Sequence, residues 1–306
     1  MDEWKFNRVQ LKDQELIKEY FRKYPSRSCD RTFFGVMLWG RHYNLDFAFT
    51  GKAILFREKT ESGYGFAWPA GPDEEIRELI PQMEKHCEEQ GGEFHMYGLS
   101  EAQFALVDSW YPGKYQIEYD RDAADYIYES EKLCTLSGKK LHGKRNHINK
   151  FKATYEDWAY EPLTKDNLEE CFQMALKWRN ENGCDEDEEK NCEMCVTLNS
   201  LRLFQELHLK GGILRVNGKI VAFTVGEPVS DDTVVVHIEK AFADVPGAYT
   251  MINQQFVLHE CMDYTYVNRE EDTGAEGLRK AKLSYRPVFM VEKGIVTEKT
   301  GNDSEE

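Results

Sequence analysis

Apolar positions recur at helical spacing in several stretches. Leu16, Ile17, Tyr20 and Phe21 mark one face between Asp13 and Lys23. Ile76, Leu79, Ile80 and Met83 do the same after Pro72, and Leu168, Cys171, Phe172, Ala175 and Trp178 do so between Lys165 and Trp178. Asp73, Glu74 and Glu75 suit the positive end of the second of these helices, and Pro81 is expected to kink or divide it. Helices are also expected from Ser100 to Trp110, about Cys192 to Leu209 and about Thr250 to Met262, and over GLRKAKLSY. Extended segments read from DFAFTGKAILFREK with its Thr50-Gly51 turn, YGFAWPAG, EFHMYGL, YQIEYD, YTYVNRE and VFMVEKG. The strongest local signal is GGILRVNGKIVAFTVG. There Asn217-Gly218 supplies the two positive-φ positions of a type I′ turn between two apolar runs, and TVVVHIEKAF follows as a third strand.

In the second half the order is helix, helix, antiparallel hairpin, third strand, loop, helix, strand, helix, strand. That order resembles the GNAT (acyl-CoA N-acyltransferase) fold, and the first half reads as a degraded copy of it. The expected class is therefore α+β, with two GNAT-like domains in tandem, each a mixed, mostly antiparallel sheet flanked by helices. The expected boundaries are 1–127 and 128–306, with the site in the second domain. A length of 306 residues agrees with about two domains at roughly 100–200 residues each.

Hydrophobic residues make up 41% of the chain, enough for a sizeable core, and no apolar run reaches the roughly 18 residues a spanning helix needs. The start, MDEWKFNRVQ, lacks a basic and apolar leader, so cytoplasmic residence is the expectation. Eight cysteines without an export signal are expected as free thiols. Cys184, Cys192 and Cys195 include a zinc-like CEMC spacing, but the second pair of a zinc site is missing. An acidic loop leading into a helix is the plainer reading, and no metal is expected.

The net charge of −16 opposes whole-body approach to a polyanion, which makes one stretch stand out. Residues 138–152, GKKLHGKRNHINKFK, hold Lys139, Lys140, Lys144, Arg145, Lys150 and Lys152 with His142 and His147, and no acid. Such a run is either a solvated helix face or a phosphate-binding strip. The acid-free composition and the interleaved Asn146 and Asn149 favour the strip.

Two further places offer chemistry. Gly247 and Ala248, between the third strand and the next helix, provide backbone that an anionic donor can approach, although ADVPGAY lacks the fuller glycine pattern expected for coenzyme A. Strand alternation puts Glu239 on one face with His237; it either takes a proton from a nucleophile or pairs with Lys240 or another base. In YVNREEDTGAEGLRKAKLSYRP, Asn268, Arg269, Glu270 and Asp272 crowd a strand end ahead of Arg279, Lys280, Lys282 and Tyr285. Arg269 suits a carboxylate or phosphate, and Asp272 or Glu270 suits an amino group; a capping and ion-pair network is the alternative.

Taken together, LSGKKLHGKRNHINKF, HIEKAFADVPGAYTMINQQF and YVNREEDTGAEGLRKAKLSYRP resemble a bacterial family related to the C-terminal catalytic domain of phosphatidylglycerol lysyltransferase, across essentially the whole chain. The resemblance implies tandem GNAT-like domains, shared with Fem-type aminoacyltransferases. It also implies an aminoacyl-tRNA donor whose ester carbonyl is attacked by an amine or hydroxyl acceptor. On this reading Glu239, Arg269 and Asp272 are catalytic. Lys139, Lys140, His142, Lys144, Arg145, Asn146, Gly247 and Ala248 meet the donor and its phosphates, and Asn268, Glu270, Arg279, Lys282 and Tyr285 bind substrate. No tightly bound cofactor is expected. The membrane-spanning region of the lipid-modifying enzymes is not expected, so the acceptor is a small molecule, a peptide or a lipid. An acyl-coenzyme A donor and a non-catalytic RNA or phospholigand binder are the alternative functions.

Overall fold

The structure is a computed structural model that describes residues 4–60 and 63–299. It has two compact units. One takes the chain up to Ser26, Asp30–Ala124 and the C-terminal segment from Val291; the other takes Arg27–Cys29 and Asp125–Met290. This differs from the expected division at 127/128 in three respects. The main part of the second unit starts slightly earlier, with the strand Asp125–Glu129, the second unit also takes the early segment Arg27–Cys29, and the strand Gly294–Glu298 belongs to the first unit. Gly294–Glu298 inserts antiparallel between His95–Leu99 and Tyr115–Tyr119, a pairing between residues far apart in sequence that local pattern cannot reveal.

Among the described residues, the strands of the first unit run in the order 7–8, 46–49, 54–60, 63–67, 95–99, 294–298, 115–119. All neighbours are antiparallel except 63–67 and 95–99, which are parallel and joined by the helix Asp73–Glu89. The helix buries Ile76, Leu79, Ile80 and Met83 against Leu55, Phe66, Met96 and Val296. Pro81 lies inside it without dividing it. The carbonyl of Arg77, four residues earlier, would ordinarily accept from the N–H that Pro81 lacks; it accepts instead from the Tyr111 hydroxyl at 2.5 Å. A capping box between Ser100 and Gln103 starts the helix Glu101–Trp110 as expected.

The second unit's sheet runs 289–291, 125–129, 266–268, 233–241, 219–230, 210–216, 159–162. The Asn217-Gly218 turn has φ of 50° and 73°, the values the hairpin dipeptide requires. Strand 233–241 pairs antiparallel with 219–230 and parallel with 266–268. The crossover between the parallel strands is the helix Ala248–Phe256, continued by a π turn over Val257–Cys261. The strand Asp125–Glu129 escapes the sequence pattern because its first four residues are all buried, so no alternation marks it. The basic stretch forms a helix, His142–Thr154, anchored by buried Ile148 and Phe151. Among the described residues no helix is long and apolar enough to cross a membrane.

Candidate active site

The second unit gathers its charged groups at the ends of the two parallel strands. Glu239 lies near the end of strand 233–241, and Arg269 directly follows strand 266–268. Arg269 Nη2 lies 2.8 Å from Glu239 Oε1, with both side chains only 12% exposed. The other Glu239 oxygen accepts from Asn253 Nδ2 at 3.2 Å, one turn into the crossover helix. The Arg269 guanidinium lies 5.0 Å from the centroid of the buried Tyr285 ring, and Lys144 Nζ lies 3.9 Å from the same ring. Tyr128 meets Tyr285 edge to face at 6.4 Å. Burial pushes the Tyr285 hydroxyl up in pKa against the pull of Arg269, so it stays a neutral donor. Burial and the neighbouring Arg269 push Lys144 down to about 8, while Glu239 opposes them.

Arg269 sits on a segment that is fixed from several sides. Asn268 donates to the Arg27 carbonyl and to Asp125, and its own Oδ1 accepts from the Glu270 N–H at 2.7 Å. Lys282 Nζ donates to the carbonyls of Arg269 and Glu271. Asp272 has no exposed side-chain surface; it accepts from Arg279 at 2.7 and 2.9 Å, from the Gly274 N–H and from the Tyr126 hydroxyl. Arg279 foremost, then Tyr126, holds its carboxyl far below the usual carboxylate range despite burial. Glu270 and Thr273 adopt positive φ, a strained backbone that this network holds in place. Glu270 reaches His237 Nδ1 at 2.7 Å, while Glu227 lies 3.4 Å from Nε2. Burial alone would lower the imidazole, but the two carboxylates outweigh it and raise it to about 9, so His237 is an imidazolium at neutral pH.

The expected residues therefore separate into groups. Glu239, Arg269, Tyr285 and Lys144 come together. Asp272, Asn268, Glu270, Arg279 and Lys282 form the capping and ion-pair network around the Arg269 segment, with both Asp272 oxygens engaged within it. Glu239 does not pair with Lys240, which turns to Glu193 and lies over Trp178. The basic segment is itself divided. Lys139, Lys140, His142, Asn146, His147, Asn149, Lys150 and Lys152 are exposed, with Asn146 bonded to His142 at 3.2 Å. Arg145 instead donates to the carbonyls of Leu136 and Gly138, closing the loop ahead of its helix, and Lys144 turns inward. Gly247 has a φ of 92°, and a Cβ there would meet the His147 carbonyl and Phe151 Cβ at 3.2 Å. Gly247 and Ala248 thus pack the crossover helix against the basic helix, and the first turn of that crossover helix carries no acid.

Asn253, Tyr128 and Glu227 were not legible as site residues. Asn253 has a retrospective signal, a polar residue among buried Met251, Ile252 and Phe256. Cys184, Cys192 and Cys195 range from buried to exposed. Among the described residues the ligand-type groups that do converge are Cys29, Asp125 and Glu271, within 4.8 Å of one another. Asp125 Oδ2 is taken by the Cys29 N–H and Asn268, so this cluster also ties the 27–29 segment to the sheet.

A conserved protein of unknown function from Bacteroides thetaiotaomicron is 37% identical, with a TM-score of 0.91 over 97% of this chain and 100% of its own. L-PGS from Bacillus licheniformis has a TM-score of 0.63 at 16% identity, over 94% of this chain and 92% of its own. A GNAT-family acetyltransferase from Colwellia psychrerythraea reaches 0.50 at 11% identity, over 97% and 100%; these last two likenesses establish the fold. An uncharacterised protein of Mycoplasmoides gallisepticum is 27% identical over 192 residues, which span 61% of this chain and 60% of that protein's length. Residues 21–296 match the family described as phosphatidylglycerol lysyltransferase, C-terminal, and the chain belongs to that family.

Proposed function

We propose that the protein transfers an aminoacyl group from an aminoacyl-tRNA to an amine or hydroxyl acceptor. The observation that carries this reading is the half-buried cluster of Glu239, Arg269, Tyr285 and Lys144 at the parallel strand ends of a GNAT-like sheet, next to the helix that bears the exposed basic strip. Lys139, Lys140, His142, Asn146 and Lys150 meet the donor phosphates, and the acid-free start of the crossover helix favours the same negative charge. Arg269 and the neutral Tyr285 hydroxyl face the carbonyl oxygen as it gains charge, and Glu239 orients Arg269. An activated ester needs little beyond positioning and oxyanion stabilisation, so no covalent enzyme intermediate is required.

The test is to incubate the protein with a mixture of charged tRNAs, or of acyl-coenzyme A donors, and the small-molecule fraction of a cell extract, and to follow donor loss and product mass. Loss of charged tRNA with appearance of an aminoacylated product is expected. Consumption of acyl-coenzyme A alone would move the reading to an N-acyltransferase. Salt-sensitive tRNA binding with no turnover would make the protein a binder. Replacing Lys139, Lys140 and Lys150 together by Ala is expected to weaken tRNA binding and to reduce the steepness of its salt dependence by about two to three in log–log slope.

A further inference from the structure

We propose that Lys144 is the proton acceptor of the transfer, taking the proton from an attacking amine; this rests on the transferase reading above. Lys144 is the odd member of the basic segment. It is half-buried, its Nζ is 3.9 Å from the Tyr285 ring centroid, and among the described residues no carboxylate pairs with it. The nearest candidate counter-ion, Glu239, has one oxygen on Arg269 and the other on Asn253. That engagement also removes Glu239 as the obvious base.

The groups acting on Lys144 are few. Burial and the positive charge of Arg269 destabilise its ammonium, while Glu239 and the Tyr285 ring face stabilise it in part. Tyr285 beneath it is neutral, as is Tyr128, whose hydroxyl burial pushes up and which donates to the Lys282 carbonyl. The outcome is an amine pushed down to about 8, so a sizeable neutral fraction exists near pH 8 in a site otherwise lined by committed groups. A base matched to the working pH is what general-base catalysis requires.

The step balances without any other reagent. The acceptor nitrogen attacks the ester carbonyl and a C–N bond forms. The proton of that nitrogen passes to neutral Lys144 Nζ, which becomes an ammonium. As the ester C–O bond breaks, the departing ribose oxygen takes a proton from that ammonium, and Lys144 is neutral again. The products are an amide and a free tRNA hydroxyl.

The experiment measures the pH dependence of kcat/KM for charged-tRNA consumption with an amine acceptor, in the wild type, Lys144→Arg and Lys144→Ala. Filter binding of charged tRNA and thermal melting are followed in parallel. In the wild type the rate should rise with pH through about 8 and level off, because the neutral form is the active one. Lys144→Arg, which keeps the cation over the ring but cannot deprotonate, should lose about 100-fold or more in kcat and lose the inflection, with tRNA affinity within about twofold and the melting temperature kept. Lys144→Ala should lose activity to a similar extent. If the wild type turns over but Lys144→Arg keeps the inflection and a rate within about threefold, the base assignment is wrong and the transferase reading stands. It is equally wrong if the loss lies wholly in tRNA binding. If the wild type consumes no donor, both ideas fall.

Discussion

The two units contain the same supersecondary unit with opposite electrostatics. In each, a strand runs into a helix that crosses over to a parallel neighbour: 63–67, 73–89 and 95–99 in the first, and 233–241, 248–256 and 266–268 in the second. The first helix opens on Asp73, Glu74 and Glu75, which neutralise its positive end, and Glu75 is further engaged by Lys52 and Thr50. The second opens on Gly247, Ala248, Tyr249 and Thr250 with no acid in its first turn. The first crossover is therefore closed to anions by its own side chains, while the second keeps the field of its helix end available. The strand ends differ in the same sense, because among the described residues only the second has an arginine and a glutamate paired with little exposure there. The two units thus differ in the charge at the start of the crossover helix and in the polar pair at the strand ends beside it.

The sharpest way to break this contrast is Arg269→Met. It leaves Glu239 with little exposure and without its counter-ion, and is expected to destabilise the protein by about 3 kcal/mol or more by urea unfolding. Adding Glu239→Leu should restore much of that stability and none of the activity, separating what the pair does for function from what it does for folding. If the single variant is as stable as the wild type, the pair is not desolvated as described.

The second unit should also show the stronger alkaline sensitivity. His237 is raised from 6.5 to about 9, so its contribution to stability is full below about 6.5 and is lost as pH rises through 9. The unfolding midpoint should fall over that window, and His237→Gln should flatten the dependence. A midpoint insensitive to pH between 6.5 and 9 in the wild type would mean that His237 is not held charged between Glu227 and Glu270.

The smallest effect belongs to the helix starts. Replacing Asp73 and Glu74 by Ala should cost roughly 0.3–1 kcal/mol each and leave transfer untouched. Tyr249→Glu, at an exposed position in the same first turn of the second unit's crossover helix, should weaken charged-tRNA binding severalfold. Equal effects of the two changes on transfer would remove the functional distinction between the units.

Much of the candidate site was legible because its residues share a short stretch: Asn268, Arg269, Glu270, Asp272, Arg279, Lys282 and Tyr285 all lie between 268 and 285. Their division of labour was not legible. Asp272 reads like a catalytic carboxylate until its oxygens are seen on Arg279, Tyr126 and Gly274, and Lys144 reads like its basic neighbours until its turn of helix faces Tyr285. Pro81 reads like a helix break until the Tyr111 hydroxyl takes up the carbonyl it orphans.

The chain alone determined what depends on neighbours in sequence: the Asn217-Gly218 hairpin, the amphipathic helices, the acid-free basic helix and the order of elements that marks a tandem GNAT-like fold. Tertiary structure decided what depends on burial and on distant partners. It assigned the last strand, Gly294–Glu298, to the first sheet, and it set Glu239 against Arg269 across 30 residues of sequence. It also separated the one inward lysine from its exposed neighbours. The physical reason is that hydrophobic periodicity and turn chemistry are local, whereas the protonation and partner of a charged group are set by the solvent it loses and by the charges that packing brings within a few ångströms of it.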